Sequence, residues 1–379
     1  MLKKMGFRIS IVTLSSNDPV FFDTLKKNWG DQVDILRLGS RRSTFVRFLS
    51  ALKKVLWGCS LNEAFFWDPA VAKLLKNQPY FDLAYFDMVR SMQYARYIKA
   101  KTIVFDFDDI LSKRYAEKIY SDNILGYKSS NYSSIFRFFL MLASPLLLRY
   151  EAYAIRKRER HYLTNENVKL FVSEEEAMQV RSLLNVDRIF SMPMSFPKRS
   201  VRWNPINCKG FLFLGNLDYE PNIESLRYIV DFILPLVKGK VQVFVVGKTS
   251  PEIRDRFKSK EIVFLGFVED IQDVFITSFA LLAPVFSGGG IKTKVVEAFS
   301  YGLPVIGSPR AFEGLNVSRD IGLIADSSED FAKYLAIAMD DPCSLLNISR
   351  NCENYFLENF EEDVVFDKFR SIVWERRID

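Results

Sequence analysis

Residues 286–308 read FSGGGIKTKVVEAFSYGLPVIGS. Gly288, Gly289 and Gly290 carry no β-carbons, so their backbone N–H groups can come close to an anion, and the start of a helix just beyond them adds favourable partial charge. The loop therefore reads as a phosphate cradle. Lys292 and Lys294 add cationic donors. Glu297 falls about six residues into the expected helix, so a rise of ~1.5 Å per residue puts it roughly 9 Å from the cradle. That is about the span from a diphosphate to the ribose of the same nucleotide, where a carboxylate accepts from two hydroxyls. Lys294 and Glu297, three residues apart, could equally pair on a solvated helix face.

A second chemical signal is FDFDD at 105–109, with acidic side chains at Asp106, Asp108 and Asp109. Strand alternation places Asp106 and Asp108 on one face at the carboxyl end of KTIVFDF, where doubly wound sheets bind ligands. Asp108 or Asp109 is expected to contact a substrate hydroxyl or take its proton. The alternative is that these residues cap a helix starting near Ile110 or pair with Arg114. Arg90 follows another strand end and is a candidate for a substrate phosphate. His161 is the only histidine, which argues against a histidine metal cage or a serine–histidine triad within one chain.

Elements that could position these groups alternate along the chain. Apolar, β-rich runs stand at 7–14, 32–38, 82–87, 101–107, 168–172 and 188–192, with helical patterns between most of them. After a proline-containing linker at 192–210, strands restart at 210–214, 241–246, 261–265, 279–284, 303–307 and 320–325. Alternation of this kind predicts an α/β chain of two Rossmann-like, doubly wound domains facing a central cleft. The expected domains are 1–195 and 208–355. A C-terminal helix in 356–379 is expected to pack back towards the first domain. In the key segment, Ile291, Val295, Ala298 and Phe299 form the buried stripe of a helix beginning near Ile291. Gly302 is its C-terminal cap, with Pro304 beyond.

GGGIKTKVVEAFSYGLPVIGS, together with FLGNLDYEPNIESL (213–226), IVFLGFVEDIQDVF (262–275) and AFEGL (311–315), resembles the donor domain of family 4, group 1 glycosyltransferases of the GT-B fold, of the bacterial surface-polysaccharide type. The resemblance covers roughly 208–340 in ordered succession, and it makes 208–355 the donor-binding domain and 1–195 the acceptor-binding one, with Asp108 or Asp109 at the acceptor hydroxyl and Arg90 at an acceptor phosphate. It implies retaining, metal-independent transfer from a nucleotide diphosphate sugar, used as co-substrate with no other cofactor. By position, Glu297 matches the ribose-binding second glutamate of the family's paired-glutamate motif. The first glutamate, which contacts the donor sugar, should stand eight residues earlier, where this chain has Gly289. The resemblance then leaves phosphate and sugar to the amides of Gly290 and Ile291, with Thr293 beside them, and to Lys292, the donor-side catalytic group. Gly215 and Asn216 match the loop after the first donor-domain strand, although GNLDYEP lacks the cation expected there. Gly266, Phe267 and Val268 match the turn against the nucleobase.

Composition limits the other classes. The chain has 379 residues, 49% hydrophobic and 26% charged, with a net charge of +6, which is too modest to argue for nucleic acid. Its four cysteines are far apart and read as free thiols of a reducing cytoplasm. No secretory signal is read at the N-terminus, and the first strand lacks the GxGxxG of a dehydrogenase. A sugar-nucleotide epimerase of the same fold, or a non-catalytic sugar-nucleotide-binding protein, remains as an alternative. Residues 133–150 carry a run of apolar side chains from Ile135 to Leu148, and just after that run come Arg149, Arg156, Lys157, Arg158 and Arg160. An apolar wedge beside basic residues suits an anionic membrane surface. The expectation is a cytoplasmic protein, peripheral on the cytoplasmic face of the membrane, taking a glycan or lipid-linked acceptor. The bland reading is a core helix with a solvated basic face.

Overall fold

The computed structural model describes residues 6–13, 33–37, 54–55, 58–120, 134–237 and 241–375. By contact the chain divides into two units, Met1–Phe171 with Glu176–Ser191, and Val172–Glu175 with Met192–Asp379.

In the first unit, β1 (Ile9–Thr13) and β2 (Val33–Arg37) pair in parallel. A second parallel sheet holds β3 (Phe81–Asp87), β4 (Ala100–Asp106), β5 (Val168–Phe171) and β6 (Ile189–Ser191) in that order. Val168–Phe171 is buried throughout, as a central strand covered on both faces requires. Helices Pro69–Lys76, Met88–Met92 and Glu174–Leu184 pack Val71, Leu75, Val89, Met92, Ala177 and Val180 into its core. The long helix Ser134–Leu163 is tied in by buried polar contacts. Glu151 accepts from the N–H groups of Leu61 and Asn62, at the start of helix Leu61–Phe65. Arg158 bonds Glu63, and Tyr162 donates to the same carboxylate.

The second unit is built on one six-stranded parallel sheet. In chain order its strands are β7 (Gly210–Leu214), β8 (Val243–Val246), β9 (Ile262–Gly266), β10 (Ser278–Ala283), β11 (Val305–Gly307) and β12 (Leu323–Ile324). Their spatial order is β12-β11-β10-β7-β8-β9, so the order reverses beside β7 and β10 at the centre. That switch point, at the carboxyl ends of the strands, is where such sheets hold ligands. Phe211, Leu212 and Phe213 on β7 and Ala280, Leu281 and Leu282 on β10 are buried, which explains the unbroken apolar runs in the sequence.

The fold class read from the sequence is the one found: mixed α/β, with parallel sheets in both units. The proline-containing stretch after Met192 is an ordered part of the second unit rather than a free tether. Trp203 is buried, with its indole N–H donating to Ser278 O at 2.7 Å and its backbone N–H to Tyr301 O at 2.8 Å. Earlier in the same stretch, Phe196 exchanges backbone bonds with Phe360 and Glu362.

Candidate active site

The carboxyl edge of the six-stranded sheet is lined by backbone. Gly215 follows β7 and donates to Val246 O; Gly247 follows β8 and donates to Gly266 O at the end of β9. These turns approach so closely that a β-carbon on Gly247 would lie 2.2 Å from Gly215 O, and one on Gly215 would lie 2.7 Å from the Asn222 side chain. No side chain fits at either place without moving its neighbour. Asn216 folds its side chain over its own turn, accepting from the Asp218 N–H. Phe267, just past β9, holds its ring 84% exposed, while Val268 packs on the core.

The glycine loop leaves β10 at the switch point and is fastened along its length. Ser308 Oγ, buried at the end of β11, both donates to Val285 O and accepts from Val285 N–H. Arg310 donates to Phe286 O at 3.0 Å, and Ser287 Oγ donates to Glu224 at 3.1 Å. Gly288 and Gly290 take the left-handed backbone, φ 94° and 72°, that aims successive amides into a turn, and Gly289 lies between them. Such a concave run of N–H groups ahead of a helix suits a phosphate.

The helix starts two residues later than the sequence pattern indicated, at Thr293 instead of near Ile291. Lys292 is its N-cap, in extended backbone, and Ile291 belongs to the loop. Val295, Ala298 and Phe299 form the buried stripe as read, joined by Val296, while Ile291 packs on the core from the loop. Gly302, at φ 67°, closes the helix: its N–H bonds Phe299 O and that of Leu303 bonds Ala298 O.

Polar side chains converge on this loop in a pattern the spacing alone did not give. Lys292 donates to Gly290 O and lies 3.8 Å from Glu313 in the turn after β11. Glu313 also lies 3.9 Å from Arg310, and its Oε2 is buried without a hydrogen bond among the described residues. AFEGL carried the signal for Glu313, but nothing in the sequence tied it to Lys292. Lys294 and Glu297 do not form the solvated pair that their spacing allowed. Lys294 turns back to the end of β7, 3.2 Å from Leu214 O. Glu297 faces Arg199 at 3.8 Å; burial pushes its carboxyl up and Arg199 draws it down. Arg199 also stacks on Tyr301. Lying in the linker, about a hundred residues from Glu297 by sequence, it gave no sequence signal.

The other acidic group sits in the first unit. Asp87 and Asp106 stand side by side at the carboxyl ends of β3 and β4. Tyr85 hydroxyl donates to Asp106, and burial raises both groups. Strand β4 ends at Asp106, so Asp108 is on a turn rather than on the strand face, at φ 62°. Met88, just past the end of β3, takes φ 61°. Asp109 is buried, and Arg114 donates to it through both Nε and Nη2; the helix begins at Leu111. The pairing alternative holds for both aspartates: Asp109 bonds Arg114 directly from a buried position, and Asp108, the exposed one of the two, lies 4.0 Å from the same guanidinium. Burial and the neighbouring Asp109 and Asp106 push Asp108 up, and Arg114 draws it down. Arg90, on helix Met88–Met92, lies over the Phe66 ring at 4.9 Å.

Of the basic stretch, Arg156 and Arg160 are exposed with Lys157 beside them, whereas Arg158 is engaged with buried Glu63 and does not belong to a solvated face. The apolar side chains at 135–142 and Leu146 lie outside the described residues. Among the described residues no helix is long and apolar enough to cross a membrane, and no cluster of metal-binding side chains forms.

Residues 208–341 match the family model described as glycosyl transferases group 1. A Klebsiella pneumoniae protein, described as an uncharacterized 44.6 kDa protein in the cps region, is 20% identical over 264 residues. The match spans 66% of each chain, a little under two thirds of that relative's length. Among solved structures, HepE of Anabaena, crystallised with UDP-glucose, is 12% identical, with 97% of this chain and 99% of that one covered and a TM-score of 0.62. Sucrose-phosphate synthase of Thermosynechococcus elongatus is 13% identical over 97% and 89%, TM-score 0.65. WaaG, a glycosyltransferase involved in lipopolysaccharide biosynthesis, is 14% identical over 98% and 93%, TM-score 0.58. The architecture is thus the GT-B fold of these glycosyltransferases, and the second unit carries the sequence pattern of the group 1 glycosyl transferases.

Proposed function

We propose that the protein is a retaining glycosyltransferase of family 4, moving a sugar from a nucleotide diphosphate sugar to a glycan or lipid-linked acceptor in cell-surface polysaccharide biosynthesis. The observation that carries this reading is the lysine-flanked glycine loop at the sheet's switch point, inside the segment that matches the group 1 model. In this reading the amides of Gly290 and Ile291, Thr293 and Lys292 receive the diphosphate, with Gly288 and Gly289 leaving room for it. Glu297 takes the ribose hydroxyls, Gly215 and Asn216 border the donor, and Phe267 with Val268 meets the base. As the glycosidic bond breaks, negative charge grows on the leaving diphosphate, and preoriented amides and a lysine stabilise it. Transfer without a divalent metal follows from that assignment.

Asp108 is the group proposed to contact the acceptor hydroxyl, with Arg90 for an acceptor phosphate. The cps-region relative and WaaG support a surface-glycan acceptor. A lipid-linked acceptor would bring the enzyme to the cytoplasmic face of a membrane, where Arg156, Lys157 and Arg160 would meet anionic headgroups. The epimerase and non-catalytic alternatives have no observation in their favour.

The test is a thermal shift with UDP, GDP and ADP and their sugars, with and without magnesium. A nucleoside diphosphate at 100 times its Kd should stabilise the chain by about 2.7 kcal/mol. This shift should need no magnesium, and Glu297→Ala should remove it. Equal binding by the variant, or a strict need for a divalent ion, contradicts the donor assignment.

A further inference from the structure

Lys294 differs from the other charged groups around the glycine loop. Its Nζ lies 3.2 Å from Leu214 O, 3.5 Å from Asn222 Oδ1 and 5.3 Å from the centre of the Phe213 ring. Among the described residues no carboxylate pairs with it, and the charge that acts on it is that of Lys292, of the same sign. The carboxylates of the surrounding turns are engaged elsewhere: Glu224 with Ser287, Asp218 with Lys248, Glu297 with Arg199, and Glu313 with Lys292 and Arg310. A cation withdrawn from water costs free energy unless an anion compensates it. An ammonium has three N–H groups, and among the described residues two acceptors stand within reach of this one.

We propose that the missing counter-ion is the diphosphate of the donor, and that Lys294 is the half-buried cation of that site, reaching the end of β7 from the helix. This deepens the donor-site reading and rests on it. It also accounts for GNLDYEP, the turn after β7, which carries no lysine or arginine of its own. The same contact positions that turn, since Asn222 presents Oδ1 to Lys294 and donates through Nδ2 to Asn216 O at 2.9 Å. An anion drawing on Lys294 therefore acts on Gly215 and Asn216 through a single side chain.

A pH dependence follows. Burial first, and then Lys292, hold Lys294 down at about 8 in the free protein, and an adjacent diphosphate raises it. Binding then takes up a proton. Affinity is full below pH 8 and declines as the pH rises through the free value towards the bound one. The phosphate's own second ionisation, near pH ~6, is over by then.

The experiment is calorimetric titration of the full chain with UDP, GDP and ADP at pH 7 and pH 9, for wild type, Lys294→Met and Lys294→Arg. Wild type should bind about tenfold more weakly at pH 9. Lys294→Met should bind at least about tenfold more weakly at pH 7 and lose the pH effect, while melting no lower than wild type without ligand, because it removes a half-buried charge that no carboxylate pairs among the described residues. Lys294→Arg, always charged, should keep affinity without the pH drop. Wild-type binding matched within about twofold by Lys294→Met, with the same pH profile, would overturn the role of Lys294 and leave the donor site standing. A wild-type pH drop retained by Lys294→Arg would overturn that role as well. No binding of any of the three nucleotides by wild type overturns the donor reading itself.

Discussion

The carboxyl edges of the two units solve the same problem with opposite materials. In the second unit, positive φ angles fall on Gly247, Gly266, Gly288 and Gly290, and the side chains beside the glycine loop are Lys292, Lys294 and Arg310, with Glu313 lying between Lys292 and Arg310. In the first, they fall on Met88 and Asp108, and the polar side chains are Asp87, Asp106, Asp108 and Asp109 with Tyr85. An edge of bare amides and cations suits an anion, and can be strain-free because glycine has no β-carbon to clash. An edge of carboxylates suits hydroxyls, and it accepts left-handed backbone at residues that disfavour it, a pattern that accompanies functional placement of a side chain. The difference supports the proposal that the one edge takes a diphosphate and the other a hydroxyl.

The largest effect should come from Asp108. If it takes the acceptor proton, Asp108→Asn should lower kcat by about 10²- to 10⁴-fold while nucleotide affinity stays as in wild type. Because burial and its acidic neighbours raise Asp108, the acid limb of the rate profile should lie above the ordinary carboxylate range. A loss of nucleotide affinity in Asp108→Asn, with kcat unchanged, would erase the contrast between the edges. A smaller effect, in stability, tests the backbone half of the comparison with opposite signs. Gly290→Ala should destabilise by about 1–2 kcal/mol, the cost of left-handed backbone for an L residue. Asp108→Gly should stabilise by about 0.5 kcal/mol, less than the full strain because aspartate tolerates this region and glycine loses more entropy on folding. Denaturant melts of both variants decide it, and destabilisation by Asp108→Gly would mean that the turn is not strained.

The smallest effect concerns charge on the first unit outside its acidic edge. Arg156, Lys157 and Arg160 should contribute roughly 1 kcal/mol each to attachment on anionic liposomes. Replacing the three with serine should lower recovery by flotation at low salt. Arg158 is left in place, since its partner Glu63 is buried and its removal would test folding instead. Wild-type protein that fails to float would point to a soluble acceptor.

Much of this molecule was legible in the chain before it was folded. Strands come from apolar runs too continuous for a half-exposed sheet, and their parallel pairing from the helical patterns between them. The glycine loop, the buried stripe through Val295 and Phe299, and the cap at Gly302 are local: each depends on residues within two turns of one another, so spacing suffices to place them. The two-residue error at the helix start is local as well, arising because an apolar Ile291 fits either a helix stripe or a loop anchored on the core.

What the sequence could not place are partners separated by long stretches of chain. Glu297 meets Arg199 from the linker, Lys292 meets Glu313 from beyond the next strand, and Lys294 meets Leu214 O across the sheet's switch point. Asp109 was distinguished from Asp108 only when the turn after β4 sent one side chain inwards to Arg114 and left the other exposed. Local pattern fixes which face of an element is buried; the company a charged side chain keeps is settled by which strand ends the parallel sheet brings together, and for Lys294 and Glu297 burial first, and then that company, shifts their titration.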